Sequence, residues 1–574
     1  MYILNGIAAS PGIAFYPIQV VRNNRNYVEY HDAREPAGEW DRFLTALQRC
    51  VESMAKFHQQ ASQQYTDEMT KVYKAYLLML QDEDYIANIR GNIFSTLCAE
   101  QAVIKETQRL AGRLLKVKSA YFNQRVEDVR AIEKMLLDCL ANETIVELSD
   151  RPQKMIIVAD ELTPADTIVY KPEQLQGFIT CRGGVTSHSV ILAKELGIPA
   201  VVGVTMDIDS LTDGQSMIVD GDSGVIYVDP DEQCIARYQQ LIAQLALRKA
   251  ALRRFVMAAA TVPTKVAVCA NITALSEAQN ALEQCADGIG LVRTEFLYMN
   301  RDRFPDEEEQ FHFYKSLALL MAGKEIVIRT LDIGGDKQAG YIGIPAEENP
   351  FLGYRAVRYC LDNKHIFRQQ LRAIVRASAF GRIKILIPMI ATPEELQETK
   401  ALIADIKQLL ARQRIEHDEN IPVGIMVETP AAAMLADVFA SRCDFFSIGS
   451  NDLTQYITAS DRNNSKVQHL YQPHHPAVLR AIKQVVDAAK KNFIPVHVCG
   501  EIASNEKMLP FLIAAGVDEL SVTPLSVPLV KYIVAKMASV QCESWLELVL
   551  STYEMDKIDL LLIGMAKKLD ALQI

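Results

Sequence analysis

Apolar residues fall along this chain in three successive rhythms. From residue 39 to 90, and again from 113 to 151, no glycine or proline interrupts the sequence. Apolar positions there recur every three or four residues, as at Phe43, Leu44, Leu47, Val51 and Met54. That period predicts long amphipathic helices packed as a bundle. After Asp150 the rhythm shortens to apolar runs at 155–158, 175–180, 200–204 and 217–220, parted by Gly, Pro and Asp. Short buried strands parted by turns predict a small α/β domain. One or two strands expected in residues 1–20, broken at Ser10-Pro11-Gly12, would complete its sheet and make the helical bundle an insertion. Residues 231–260 again lack glycine and proline and predict a helical connector. Beyond them, β-rich runs at 265–270, 288–292, 325–330, 383–389, 421–427, 444–448, 494–498 and 518–523 alternate with helical segments. Eight such alternations predict a (β/α)8 barrel. The expected domains are therefore 1–20 with 148–230, the helical insertion 21–147, the linker 231–260 and the barrel 261–574.

Composition narrows the class. At 574 residues and 49% hydrophobic content, the chain has material for several cores. A net charge of −11 and a pI near 5.6 argue against nonspecific binding to nucleic acid or anionic lipid. Eleven scattered cysteines without a C-x-x-C pair suit reduced thiols better than disulfides or structural zinc. No run approaches the roughly 18 apolar residues of a membrane span, and Met1 to Ile7 contains no basic leader, so a cytoplasmic location is expected.

Candidate chemistry concentrates in two places. The first is Gly183-Gly184-Val185-Thr186-Ser187-His188-Ser189, between the run 175–180 and a helical run at 190–196. The glycines permit a tight turn, Thr186 or Ser187 can cap the helix, and His188 falls in the first turn, where free N–H groups favour an anion. That is a suitable place for a phosphorylated histidine, although a lone histidine after a turn is more often an ordinary polar residue. Thr167, at another candidate helix start, is either a partner for the ring or a turn residue.

The second place is the set of strand ends of the expected barrel, where barrel enzymes carry their chemistry. Arg293, Arg329 and Arg462, with Arg355 nearby in sequence, offer guanidinium forks for phosphate and carboxylate oxygens. Glu428 and Asp452 are oxygen ligands suited to Mg²⁺, or else structural ion-pair partners. Cys499 is a proton donor or nucleophile, or else a small buried hydrophobe. Together they suit an enolate or enol-phosphate substrate, with cations stabilising its charge and the thiol protonating carbon.

These motifs occur in one order: Gly183-Gly184-Val185-Thr186-Ser187-His188, Gly334-Gly335-Asp336-Lys337, Glu348-Asn349-Pro350-Phe351-Leu352-Gly353, Met426-Val427-Glu428-Thr429-Pro430, Ser447 through Tyr456, and Cys499-Gly500-Glu501. In that order the chain resembles enzyme I of the bacterial phosphoenolpyruvate:sugar phosphotransferase system, from Gly6 to the last helices. The resemblance implies a cytoplasmic homodimer, paired through its barrel, that takes the phosphoryl group of phosphoenolpyruvate onto His188 and releases pyruvate. It then passes the group to a histidine of the carrier HPr, to drive sugar uptake. By the same resemblance Arg293, Arg329 and Arg462 hold substrate, Asn451 contacts its phosphate, Glu428 and Asp452 bind Mg²⁺, and Cys499 protonates the enolate. Lys337 and Arg355 fall in the same neighbourhood, and the helical insertion becomes the HPr-docking surface. The α/β domain would have to swing on its linkers, because His188 serves both the barrel and the carrier. The chain departs from the pattern at Val185, where arginine is common, at Tyr76, where the carrier-facing helix commonly has histidine, and at Ser450, which replaces threonine. A paralogue serving another HPr-like carrier is compatible with those changes.

Other readings share parts of this pattern. The pyruvate phosphate dikinase and phosphoenolpyruvate synthase group also combines a phosphohistidine domain with a barrel. It needs a large nucleotide-grasping domain for which the helical amino-terminal segment gives no room. A Mg²⁺-dependent lyase barrel acting on a 2-keto acid leaves the histidine motif unused. A non-catalytic scaffold of the phosphotransferase system would not need the full set of reactive side chains.

Overall fold

The computed structural model describes residues 1–21, 35–64, 76–115, 120–141, 154–162, 173–182, 188–259, 265–299, 303–335, 340–344, 347–462, 464 and 466–570. They divide into two compact units, Met1–Leu247 and Arg248–Ile574.

In the first unit, β1 (Tyr2–Asn5), β2 (Ile7–Ser10), β3 (Ile13–Val21), β4 (Met155–Ala159), β5 (Leu175–Thr180), β6 (Ala200–Val202), β7 (Ser216–Asp220) and β8 (Val225–Val228) form one sheet in the order β1-β8-β7-β3-β4-β5-β6-β2. The amino-terminal segment thus supplies three strands, and β8 follows the turn after Asp220 in a stretch where no strand was predicted. Strands β3, β4, β5 and β6 run parallel to one another, with β7 antiparallel to β3 at one side and β2 antiparallel to β6 at the other, and β4 is buried along its whole length. Its alternate residues feed two cores, as strand geometry requires. Met155, Ile157 and Ala159 pack with Val190, Leu192 and Ala193 of helix His188–Leu196, whereas Ile156 and Val158 pack with Met217, Val219 and Ile226. That packing seats the helix on the sheet and sets His188 at its first position.

The chain leaves the sheet at Val21 and rejoins it at Met155. Between these points lie helices Pro36–Gln64, Glu83–Phe94, Ala99–Leu115 and Ala120–Leu140. The buried stripe of the first helix is Phe43, Leu47, Cys50 and Met54, facing Ile132, Leu136 and Cys139. Leu44, predicted on that stripe, is 40% exposed, because it lies a full residue step around the helix from Phe43. Glu39, itself buried, accepts a 3.0 Å hydrogen bond from the backbone N–H of Ala99 at the start of the third helix, and also holds Arg42. One carboxylate therefore caps one helix and braces another. Tyr76 is 1% exposed and its hydroxyl donates to Asp128 Oδ1 at 3.1 Å. The expectation that residue 76 belongs to a partner-facing surface is corrected: here it is a core side chain. Helix Glu232–Ala259 follows β8 as the predicted connector.

In the second unit, eight parallel strands close into a (β/α)8 barrel. They are β9 (Ala267–Ile272), β10 (Ile289–Arg293), β11 (Ile326–Arg329), β12 (Ile383–Ile387), β13 (Val423–Val427), β14 (Phe446–Ile448), β15 (Val496–Val498) and β16 (Glu519–Val522), with β16 pairing to β9. Every residue of β11, β13, β14, β15 and β16 is buried, as expected of strands with helices outside and a filled lumen inside. The lumen is packed by Leu291, Val327, Leu386, Met426, Phe445 and Cys499. Gly424 makes room for the Phe445 ring, because a Cβ there would stand 2.6 Å from it. With the lumen blocked, chemistry is confined to the two ends of the barrel.

Candidate active site

The carboxyl ends of the barrel strands hold a continuous ladder of alternating charge. Arg329, the last residue of β11, donates from Nη2 to Glu295 Oε1 at 2.6 Å, and its Nη1 lies 3.1 Å from Asp332 Oδ2. Asp332 in turn receives Arg355 Nη2 at 2.8 and 3.0 Å. Arg355 Nη2 also reaches Asp452 Oδ2 at 3.4 Å, and Arg462 Nη1 donates to Asp452 Oδ1 at 3.1 Å. The order is Glu295, Arg329, Asp332, Arg355, Asp452, Arg462. All but Arg462 are buried, and buried charges persist only when paired in this way. Burial alone would lower the guanidinium pKa of Arg329, but Glu295 and Asp332 outweigh it and raise it further. Arg329 Nε is buried without an acceptor among the described residues.

Arg355 is 2% exposed and reaches the ladder from outside any barrel strand. The backbone bends to admit it: Gly334 has φ +113°, and a Cβ there would stand 2.5 Å from Arg355 Cβ. Its Nη1 donates to the Tyr456 hydroxyl at 3.3 Å. Its guanidinium is thus engaged by chain carboxylates and a phenol, and it fixes Asp332 and Asp452 in place. Arg462, at the ladder's outer end, lies over the Phe351 ring at 5.5 Å. Arg293 ends β10, and among the described residues its guanidinium has no carboxylate partner.

Glu428 follows β13 directly and is 1% exposed. Its Oε1 accepts from the backbone N–H of Met389 at 2.7 Å, and Gly449 leaves space for Oε2, where a Cβ would come within 2.7 Å. The three arginines of the ladder already face three carboxylates, so Glu428 is a surplus acid. Burial, then Asp452 and Asp332, push its carboxyl up to about 8. A surplus buried carboxylate beside Asp452, both offering hard oxygen atoms, fits a divalent cation.

Cys499, immediately after β15, is 4% exposed. Ser447 Oγ donates to its sulfur at 3.2 Å, and its own S–H points to Ile448 O at 3.6 Å. Burial pushes the thiol up to about 11, against the lowering influence of Ser447 and Arg329, so it stays protonated at neutral pH. Asn451, in the first turn of helix Ser450–Thr458, binds Glu501 at both ends of its amide. Its Oδ1 accepts from Glu501 N at 2.9 Å, and its Nδ2 donates to Glu501 Oε1 at 3.1 Å. Those bonds tie the end of β14 to the end of β15.

The structure brings together Arg329, Arg355, Arg462, Glu428, Asp452 and Cys499, with Arg293 at the neighbouring strand end. His188 opens its helix in the first unit, and its side chain lies outside the described residues, as do Gly183 to Ser187, Thr167 and Lys337. Glu295 and Asp332 as clamps, Tyr456 as the stay of Arg355, and Ser447 as the donor to Cys499 were not assigned from sequence. Their one sequence signal is position, since Glu295 and Asp332 follow strand-end arginines by two and three residues. At the opposite end of the barrel Glu325, His497 and Glu519 bring potential ligand atoms within 4.8 Å of one another. Lys384 already pairs with Glu325 there, and His497 Nδ1 is 3.3 Å from Glu519 Oε1. Burial, then Lys384, lowers His497 to about 3, while burial, then Glu325, raises Glu519 to about 7.

Residues 248–539 match the PEP-binding domain of PEP-utilising enzymes, residues 151–224 their mobile domain and residues 5–125 their N-terminal domain. The chain is 37% identical over 558 residues to a phosphoenolpyruvate-protein phosphotransferase of Priestia megaterium, with 97% of each chain covered. It is 38% identical over 558 residues to the protein of that name from Bacillus subtilis, covering 96% of this chain and 97% of that one. A solution structure of an Enzyme I protein is 31% identical and covers 42% of this chain and 99% of its own, with a TM-score of 0.38. No helix among the described residues is long and apolar enough to cross a membrane.

Proposed function

The chain belongs to the PEP-utilising enzymes, within the group of phosphoenolpyruvate-protein phosphotransferases, and on that premise we propose that it moves the phosphoryl group of phosphoenolpyruvate onto His188 and then onto a histidine of HPr or an HPr-like carrier. The observation that carries this reading is the full-length match, which includes a mobile-domain segment containing His188 and a PEP-binding segment containing the charge ladder. A lyase barrel leaves the mobile-domain segment without a task. A bare scaffold leaves the protonated, buried thiol without one.

Arg293, Arg329 and Arg462 bind the anionic groups of phosphoenolpyruvate, supported by the place of the first two at strand ends, by the seat of Arg462 on Asp452 beyond the helix after β14, and by the unmatched Nε of Arg329. Glu295 and Asp332 hold Arg329 so that no side-chain reorganisation is needed when charge builds on substrate. Asn451 is assigned to the phosphate, and Lys337 and Arg355 to the same neighbourhood, with Arg355 acting through Asp332 and Asp452. Mg²⁺ held by Glu428 and Asp452 would add positive charge against the phosphate oxygens. A His188 ring nitrogen forms the new P–N bond as the bond from phosphorus to the enol oxygen breaks. Cys499 gives its S–H proton to the methylene carbon of the enolate, which yields pyruvate, and the thiolate regains a proton from solvent. At the start of its helix, phosphorylated His188 would face free backbone N–H groups.

The helical segment between Val21 and Met155 is the docking region for the carrier in this reading. Large apolar side chains left exposed on the barrel unit, Met434, Leu548, Tyr553 and Leu560, support pairing of two copies through it. Work in the cytoplasm on a soluble carrier, as the first step of sugar uptake, is part of the same proposal. Incubation with phosphoenolpyruvate labelled in its phosphate, plus Mg²⁺, should give acid-labile label on the protein, and His188→Ala should abolish it. Equal labelling of the variant would refute the assignment.

A further inference from the structure

The helical segment of the first unit contains a pair of thiols that the phosphotransfer reading does not use. Cys50, on helix Pro36–Gln64, and Cys139, in the last turn of helix Ala120–Leu140, bring their sulfur atoms to 2.8 Å. Both are free thiols, and among the described residues theirs is the one sulfur–sulfur hydrogen bond. The two sulfurs are not equivalent. Cys50 is fully buried, and its S–H is shared between Cys139 Sγ and the Met135 carbonyl oxygen at 3.3 Å. Cys139, also buried at 6% exposure, is the acceptor and lines a cavity of about 280 Å³ together with Asp41, Arg42 and Arg49. That volume is many times the roughly 30 Å³ share of a water-sized molecule. The hydrogen bond from Cys50 favours the Cys139 thiolate, burial and then the Asp138 charge oppose it, Arg49 adds a smaller favourable influence, and the net direction is down. A thiolate with access to a polar cavity, backed by a second thiol in contact, is the arrangement that a peroxide-reactive cysteine requires.

We propose that Cys139 and Cys50 form a redox modification site for hydrogen peroxide or a small alkyl hydroperoxide, with Cys139 as the attacking and Cys50 as the resolving sulfur. The Cys139 thiolate attacks one peroxide oxygen, the O–O bond breaks, and the departing oxygen leaves as water or alcohol after taking a proton. Cys139 is then a sulfenic acid. Cys50, losing its proton, attacks that sulfur, the S–O bond breaks and hydroxide leaves as water. In total two thiols and one hydrogen peroxide give one disulfide and two waters, with two electrons passing from sulfur to peroxide. The product joins the first and last of the four described helices between β3 and β4, so the bundle carries a covalent record of oxidation.

The full-length protein, reduced and freed of reductant, is treated with hydrogen peroxide, blocked with iodoacetamide and digested without reductant for mass spectrometry. A peptide pair joined through Cys50 and Cys139, lost on adding dithiothreitol, is the expected result. With Cys50→Ser, peroxide should leave Cys139 as a sulfenic acid that dimedone traps. With Cys139→Ser, Cys50 should remain fully alkylatable after unfolding. Absence of the joined peptides in the wild-type protein overturns the site. Oxidation of Cys50 in Cys139→Ser to the extent seen in the wild-type protein overturns the assigned roles. The wild-type measurement stands by itself should either variant fail to fold.

Discussion

Replacing Glu428 by glutamine should stabilise the barrel while disabling it. In the folded protein the carboxyl titrates near 8 rather than at its ordinary 4.5. The fold therefore favours the protonated form, and the stability linked to this group is complete below pH 4.5 and lost as pH rises through 8. At 1.36 kcal/mol for each pKa unit, the loss is on the order of 1 kcal/mol at pH 5.5 and of 4 kcal/mol at pH 8. Glutamine imitates the protonated acid. Its Oε1 still accepts the Met389 N–H, and its amide can donate to Asp452, so Glu428→Gln should recover most of that difference. For a unit of this size that is a gain in Tm of roughly 8 °C at pH 8 but only about 2 °C at pH 5.5, measured by calorimetry in EDTA. Saturating Mg²⁺ should raise the wild-type Tm, by about 2.7 kcal/mol of stabilisation at a hundredfold excess over Kd, and leave the variant unmoved. Phosphoryl transfer should fall in the same variant. Equal Tm shifts at the two pH values, or a drop at pH 8, would refute the reading of Glu428 as a surplus buried acid awaiting a cation.

Three further substitutions test other parts of the site. Cys499→Ala should slow exchange between pyruvate and phosphoenolpyruvate by about two to four orders of magnitude, with carrier transfer from preformed phosphoenzyme retained; equal loss of both would remove its role as proton donor. Arg329→Lys keeps the charge but cannot hold Glu295 and Asp332 at once, so KM for phosphoenolpyruvate should rise by about tenfold or more, and an unchanged KM in steady-state assays would count against the clamp. Tyr76→Phe should lower the stability of the helical segment by about 1 kcal/mol in urea denaturation followed by circular dichroism, whereas a neutral change would mean the bond to Asp128 contributes nothing.

The barrel was legible because a strand buried on both faces writes an unbroken apolar run, as Val423 to Val427 does, and the polar residue just after it is then exceptional. Glu428 stands out on that ground alone, whereas the run before Cys499 is interrupted by His497. The bundle was less sharply readable: Leu44 fits the apolar composition of its stripe but not the phase set by Phe43, Leu47, Cys50 and Met54. β8 escaped because four residues after a turn carry too little periodicity, and its pairing with β1 and β7 is what makes it a strand. Arg355 shows the deeper limit. Its sequence placed it in the neighbourhood of an anion, but its engagement comes from Asp332 after β11, and from Asp452 and Tyr456 on the helix after β14, which only the closed barrel assembles. Tyr76 failed for the same reason, since a family position suggests a surface while one hydrogen bond to Asp128 fixes a core side chain.

The parallel pair β3–β4 also says something about how the polypeptide reaches its native state. Its two strands are adjacent in the sheet yet separated by residues 22–154, so their pairing closes a very long loop. Loop closure costs only about 0.6 kcal/mol for each doubling of length, so the penalty falls on rate more than on equilibrium. The intervening helices bury their own cluster, in which neighbours in sequence pack together and Phe43 of the first helix joins Leu136 of the last. Packing of the first inserted helix on the last brings the two ends of the insertion together and so shortens the effective loop that β4 must close on β3. The helix that begins at His188 then depends on that pairing for its seat, because Val190 packs against Met155 and Ile157 of β4.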